Sequence, residues 1–190
     1  MKGTKTTIVA GLAVLAMSAS PAFAGAAKHS KARRPASDQA FVIGAAGGSL
    51  AEIELGKLAQ SKASSDQVKT FGKRMVDDHQ KALDSLKTVA TAEHITLPST
   101  LTRKDQALKD RLEKLSGSAF DRAYMNAMVK DHRHDVAEFR AESTTAKAAD
   151  VKQYASTTLP TLEGHLKLAQ TTQKDVVGTS GKRTNKKPVG

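Results

Sequence analysis

The chain has 190 residues, a net charge of +11, no Cys, no Trp, five Phe and two Tyr. Without Cys there is no disulfide framework, no thiolate-held zinc or iron–sulfur cluster and no thiol nucleophile, and so few aromatics argue against a stacking platform for bases. The positive charge sits in acid-free stretches at the ends (Lys2 and Lys5; Lys28, Lys31, Arg33 and Arg34; Lys182, Arg183, Lys186 and Lys187), so residues 38–175 are close to neutral and offer no basic face to nucleic acid.

The first residues read as a secretory signal. Lys2 and Lys5 precede an apolar run from Ile8 to Met17, followed by Pro21 and the small-residue pattern Ala22-Phe23-Ala24. Cleavage is expected after Ala24, which sends the chain to a periplasm or outside the cell. The apolar run has roughly half the length a bilayer span needs, and no later segment approaches it. Residues 25–37 are small, basic and broken by Pro35, and residues 176–190 are Gly-, Lys- and Arg-rich. Both are expected to be flexible arms, either solvated or touching anionic envelope components: phospholipid, lipopolysaccharide or peptidoglycan acids.

Between the arms the apolar spacing is helical. Ser37 and Asp38 offer a cap and an acidic first turn to a helix ending near Lys62, with Phe41, Ala45, Gly48, Glu52, Leu55 and Ala59 on one face. Ser64-Ser65-Asp66 starts a second helix through Val68, Phe71, Met75, His79, Ala82, Leu83, Leu86, Val89 and Ala90, which stops by Leu97-Pro98. A shorter helix is expected over Thr102 to Leu115. A third long helix, from Ser118, carries Phe120, Tyr124, Met128, Val136 and Phe139. The last, from about Asp150 to Lys174, carries Val151, Tyr154, Leu162, His165 and Ala169, with Pro160 as an expected kink or break. No segment alternates with period two. The expected fold is all-α: a four-helix bundle with a short extra helix in the central crossover, wired as ferritin-like bundles are.

Two helices echo each other. Phe71 to His79 reads FGKRMVDDH and Tyr124 to His132 reads YMNAMVKDH. Each has an aromatic eight residues before a His, which predicts a pseudo-twofold pair with both imidazoles at one depth.

Glu52, His79, His132 and His165 lie on or beside the apolar stripes of four different long helices. Inward polar groups must find partners, which leaves two readings. They form a core hydrogen-bond network, or they bind one transition-metal ion (zinc, copper or iron), which three neutral imidazoles and a carboxylate suit. Asp135, one turn after His132, is expected to accept from that ring and hold its orientation, whereas Asp78 and Asp131 diverge by about 100° from the His that follows each. Met75 and Met128 share faces with His79 and His132, a thioether–imidazole variant suited to Cu(I) or simply core filling. A di-iron centre is disfavoured, because no Glu-x-x-His occurs. Gly44, Gly47 and Gly48 form no phosphate loop and are expected to let a neighbouring helix approach closely.

The phrases FVIGAAGGSLAEIELGKLAQSKAS (41–64), VKTFGKRMVDDHQKALDSL (68–86), LSGSAFDRAYMNAMVKDH (115–132) and TLPTLEGHLKLA (158–169) resemble an uncharacterised bacterial domain family. That family is often labelled "predicted outer membrane protein" or "putative membrane protein" and is classed as ferritin-like. The resemblance spans about residues 38–175. It implies an exported helical bundle without established activity, and it maps the family's Asp-His phrases onto Asp78-His79 and Asp131-His132, its first-helix Glu onto Glu52 and its late His onto His165. The leading expectation is a binding protein rather than an enzyme, holding one metal ion in its core. The competing one is a structural or interaction module tethered to the envelope by its basic arms.

Overall fold

A computed structural model describes residues 37–183. The leader expected over 1–24 and all but Ser37 of the amino-terminal arm lie outside the described residues. Five helices and no strand make up what is described: α1 (Asp38–Lys62), α2 (Asp66–Ala92), α3 (Arg103–Glu113), α4 (Gly117–Thr145) and α5 (Ala149–Arg183). The expected all-α class holds. α1 packs along α2 and α4 along α5; α2 also meets α5, and α1 also meets α3 and α4.

Local chemistry sets the helix starts. Ser37 Oγ accepts from the Ala40 N–H at 3.3 Å, and Thr102 Oγ1 accepts from the Asp105 N–H at 3.2 Å, satisfying amides that an α-helix leaves without internal partners. α2 and α5 borrow their caps from other helices. Asp121 of α4 accepts from the N–H groups of Ser64 and Ser65, both at 3.0 Å, ahead of α2. Asp38 of α1 accepts from those of Lys147 (3.0 Å) and Ala148 (2.6 Å) ahead of α5. Asp38, read from sequence as a first-turn acid of its own helix, and Asp121 thus tie separate helices together.

Of the two outcomes expected at Pro160, the break does not occur: α5 passes through it, and both Pro160 and Ser156, whose carbonyl loses its N–H partner, are exposed residues. α5 also continues to Arg183 rather than closing near Lys174, so the start of the expected tail is helical. Thr172 and Val176 prolong the buried stripe of Leu162, His165 and Ala169, and burial of Val176 holds the added turns. Residues 184–190 lie outside the described residues.

The apolar core is in two parts. One gathers Phe41, Leu83, Leu86, Phe139, Tyr154 and Leu162; the other gathers Leu55, Phe71, Met75, Tyr124, Met128 and Ala169. α2, α4 and α5 each pass from one cluster to the other. On each, the buried residue at the crossing is a histidine: His79 between Met75 and Leu83, His132 between Met128 and Val136, His165 between Leu162 and Ala169. Glu52 occupies the corresponding stretch of α1.

Where α1 and α2 cross, Gly56 and Gly72 allow the closest approach. A Cβ at Gly56 would lie 2.6 Å from the Gly72 carbonyl oxygen, and one at Gly72 would lie 2.7 Å from Ala59 Cβ. The glycines expected to serve that purpose, Gly44, Gly47 and Gly48, have nothing within 4 Å of such a Cβ. The close contact belongs to a later turn of α1.

Candidate metal centre

The three imidazoles meet. Ring centroids are 5.9 Å apart for His79 and His132, 5.5 Å for His79 and His165, and 5.4 Å for His132 and His165. One ring nitrogen from each lies within 4.8 Å of the other two. Burial outweighs the favourable pull of Asp78, Asp135 and the Met128 carbonyl on the rings, so all three titrate below the ordinary histidine range. Burial depresses His132 to about 4, with the neighbouring His165 adding to it. Burial likewise holds His79 well below 6.5, with His132 and His165 adding repulsion. For His165, burial dominates over an opposing hydrogen bond to Asp78. At neutral pH the centre is three neutral imidazoles, the form that ligates metals.

Two rings have their tautomers set from outside. His132 Nδ1 lies 3.0 Å from the Met128 carbonyl oxygen; a carbonyl only accepts, so Nδ1 carries the proton and Nε2 the lone pair. His165 Nε2 lies 2.9 Å from Asp78 Oδ2, which leaves the lone pair on Nδ1. Burial pushes the Asp78 carboxyl up, but hydrogen bonds from His165 and Arg74 bring it below the usual value, so it is an anionic acceptor. The nitrogens left over, His132 Nε2, His165 Nδ1 and His79 Nε2, are buried without a hydrogen-bond partner among the described residues. Held rings with free lone pairs are how metal-ligating histidines are presented.

Glu52 is placed differently from the imidazoles. It is fully buried, and Oε1 lies 3.5 Å from His132 Nδ1, the ring edge already committed to Met128. One oxygen of Glu52 falls instead within 4.8 Å of oxygens of Asp131 and Asp135. Asp135, expected to orient His132, gives that task to the Met128 carbonyl and lies 3.5 Å from His134 Nδ1. Burial raises the Glu52 carboxyl well above its ordinary value, and the charges of Asp131 and Asp135 raise it further. Asp131 is pushed up to about 6, by burial first and then by Asp135.

The steering role of Asp78 escapes a reading along one helix, although its signal is present. A residue beside an inward-pointing His faces about 100° away, which on α2 is toward α5. The echoed motifs meet as expected: Phe71 and Tyr124 have ring centroids 6.1 Å apart, and His79 faces His132. Met75 and Met128 are fully buried in the apolar cluster. Beside the rings is a cavity of about 40 Å³ whose lining includes Gly44, Gly48, Asp78, His79, Asp135 and His165. Gly44 and Gly48 of α1 therefore border the centre.

A family profile described as a domain of unknown function (DUF4142) matches residues 20–172. The crystal structure of a DUF305 fragment from Deinococcus radiodurans is similar in fold, with a TM-score of 0.64 at 11% identity over 73% of this chain and 95% of that one. No curated protein matches the chain.

Proposed function

We propose that this chain, which belongs to the DUF4142 family of domains of unknown function, is an exported four-helix bundle of ferritin-like wiring that binds one transition-metal ion through His79, His132 and His165. The observation that carries the reading is the set of three buried ring nitrogens without partners, two of them left as lone pairs by hydrogen bonds at the far edges of their rings. Three neutral imidazoles suit Zn²⁺, Cu²⁺ or Fe²⁺ and leave a coordination position for water or a substrate. Glu52 is outside this ligand set: it stands on the Nδ1 side of His132, an edge already committed to the Met128 carbonyl.

A core hydrogen-bond network is the weaker reading, because the nitrogens that would have to form it have no such bonds. Among the described residues no helix is long and apolar enough to cross a membrane. Export rests on the leader-like residues 1–24, and periplasmic or extracellular residence follows from it. The basic ends would give the bundle a salt-sensitive hold on anionic envelope material.

The test is metal analysis of untagged protein. One zinc, copper or iron per chain, lost in the His79→Ala/His132→Ala double variant, supports the reading. Metal-free protein whose melting does not respond to added Zn²⁺, Cu²⁺ or Fe²⁺ defeats it.

A further inference from the structure

We propose a second cation site, built of oxygen ligands, where Glu52 of α1 meets Asp131 and Asp135 of α4. One carboxylate oxygen of each residue lies within 4.8 Å of the other two. Asp131 and Asp135 are one turn apart and half-buried on α4. Alone, such a pair is an ordinary acidic stripe. Glu52 marks the place as different: it is 0% exposed, and neither Oε1 nor Oε2 has a hydrogen-bond partner among the described residues. Burying a carboxylate costs several kcal/mol or more unless it is paired, and here its nearest carboxylates deepen that cost. A bound cation adds an attraction to each of the three carboxylates, which offsets both their mutual repulsion and the cost of burial.

The donor set selects the kind of cation. His132 turns its Nδ1 edge toward Glu52, at 3.5 Å, and that nitrogen carries the proton donated to Met128. It offers no lone pair there. The site is therefore all oxygen, which favours a hard divalent cation such as Mn²⁺, Mg²⁺ or Ca²⁺ over the nitrogen-seeking metals of the imidazole centre. Half-burial of the two aspartates leaves positions for water. Asp131 also borders a groove between α3 and α4, together with Lys104, Leu108 and Arg111, which supplies an approach from the surface. One imidazole ring then has an edge toward each site, and the two sites take different ions.

The proposal does not depend on the imidazole centre being a metal site, and the experiment separates them. Metal-free full-length protein is titrated with Zn²⁺ alone, with Mn²⁺ alone, and with Mn²⁺ after one equivalent of Zn²⁺, reading free Mn²⁺ by its electron paramagnetic resonance signal. One Mn²⁺ per chain is expected to bind the Zn²⁺-loaded protein. Glu52→Gln should weaken that uptake tenfold or more and leave Zn²⁺ uptake unchanged. Asp131→Asn, at a half-buried position, should weaken it in the same sense and keeps the test open if Glu52→Gln fails to fold. Failure of the imidazole reading appears as absent Zn²⁺ uptake, with the Mn²⁺ titration still read in its own arm. Absent Mn²⁺ uptake overturns the second site, as does uptake that survives both substitutions. Loss of Zn²⁺ but not Mn²⁺ in Glu52→Gln also overturns it, because Glu52 then serves the imidazoles.

Discussion

Asp78 Oδ2 stands 2.9 Å from Nε2 of His165, so α2 supplies one imidazole of the cluster, His79, and steers another that belongs to α5. The steering carboxylate is itself held, by Arg74 at 3.2 Å and Lys81 at 3.6 Å. Removing such a partner from a ligating histidine costs about 10–100-fold in metal affinity. Asp78→Ala should therefore weaken metal binding by that factor in a chelator competition, with the helical circular-dichroism signal unchanged. Asp84→Ala, on the same helix but paired only with Gln80 and Lys87 at the surface, should leave the affinity alone. Equal affinities for the two variants would remove Asp78 from the site.

The glycines divide into two kinds with opposite expected effects. Gly56→Ala would place a Cβ 2.6 Å from the Gly72 carbonyl, a backbone atom that cannot swing away. Forcing α1 and α2 apart should cost about 1–3 kcal/mol. Gly47→Ala meets nothing within 4 Å, and inside a helix the exchange should stabilise by about 0.5–1 kcal/mol. Urea denaturation of the two variants checks the contrast in sign.

What was legible along the chain follows from how many neighbours each helix has. On α2 the expected stripe, Val68, Phe71, Met75, His79, Ala82, Leu83, Leu86, Val89 and Ala90, holds every buried residue but Gly72, while Ala82 and Val89 at its edge are only partly buried. α1 reads as a similar stripe, yet Val42, Ala46, Ser49, Ala51 and Ile53 are buried too, because α2, α3 and α4 all pack on it. The three histidines could be found because each interrupts an apolar stripe. Asp78 and Asp131 could not be assigned by the same logic: the residues that draw them into the sites, His165 and Glu52, lie on other helices, and periodicity says nothing about which neighbour a flanking residue meets. The Met128 carbonyl is a main-chain atom, invisible to any motif.

Acid should destabilise the metal-free protein, and the sign follows from proton counting. The His132 imidazole titrates at about 4 in the folded chain against 6.5 ordinarily. Between those values the unfolded chain binds a proton that the folded chain excludes. The stability His132 contributes is therefore complete above pH 6.5 and is lost as the pH falls toward 4, to the extent of about 3 kcal/mol. His79 and His165, also depressed, act in the same direction. Glu52 and Asp131 act oppositely: their raised carboxyls keep protons in the folded chain that the unfolded chain releases above 4.5 and 3.8, so their contributions decline as the pH rises from there, two carboxyls against three rings. Urea midpoints for metal-free protein should accordingly fall from pH 6.5 to 4.5, and His132→Gln should flatten that limb. A midpoint that rises on acidification would contradict the assignment of neutral rings.

Tyr124 gives a prediction of the opposite kind, a deletion that should not hurt. Its ring is fully buried, stacked on Phe120 at 5.6 Å and set edge-on to Phe71 at 6.1 Å, so its apolar part is well used. Its hydroxyl is buried without a hydrogen-bond partner among the described residues, and burial together with the Glu52 charge opposes its ionisation. Removing a hydroxyl that gains no bond on folding relieves its desolvation cost, about 1–3 kcal/mol for an unsatisfied group, and leaves the ring packing in place. Tyr124→Phe should thus hold or raise the thermal midpoint and leave metal stoichiometry untouched. The same exchange at a satisfied tyrosine would lower stability by about 1 kcal/mol. A loss of metal in Tyr124→Phe would instead place the hydroxyl in the centre's own chemistry, beside Glu52.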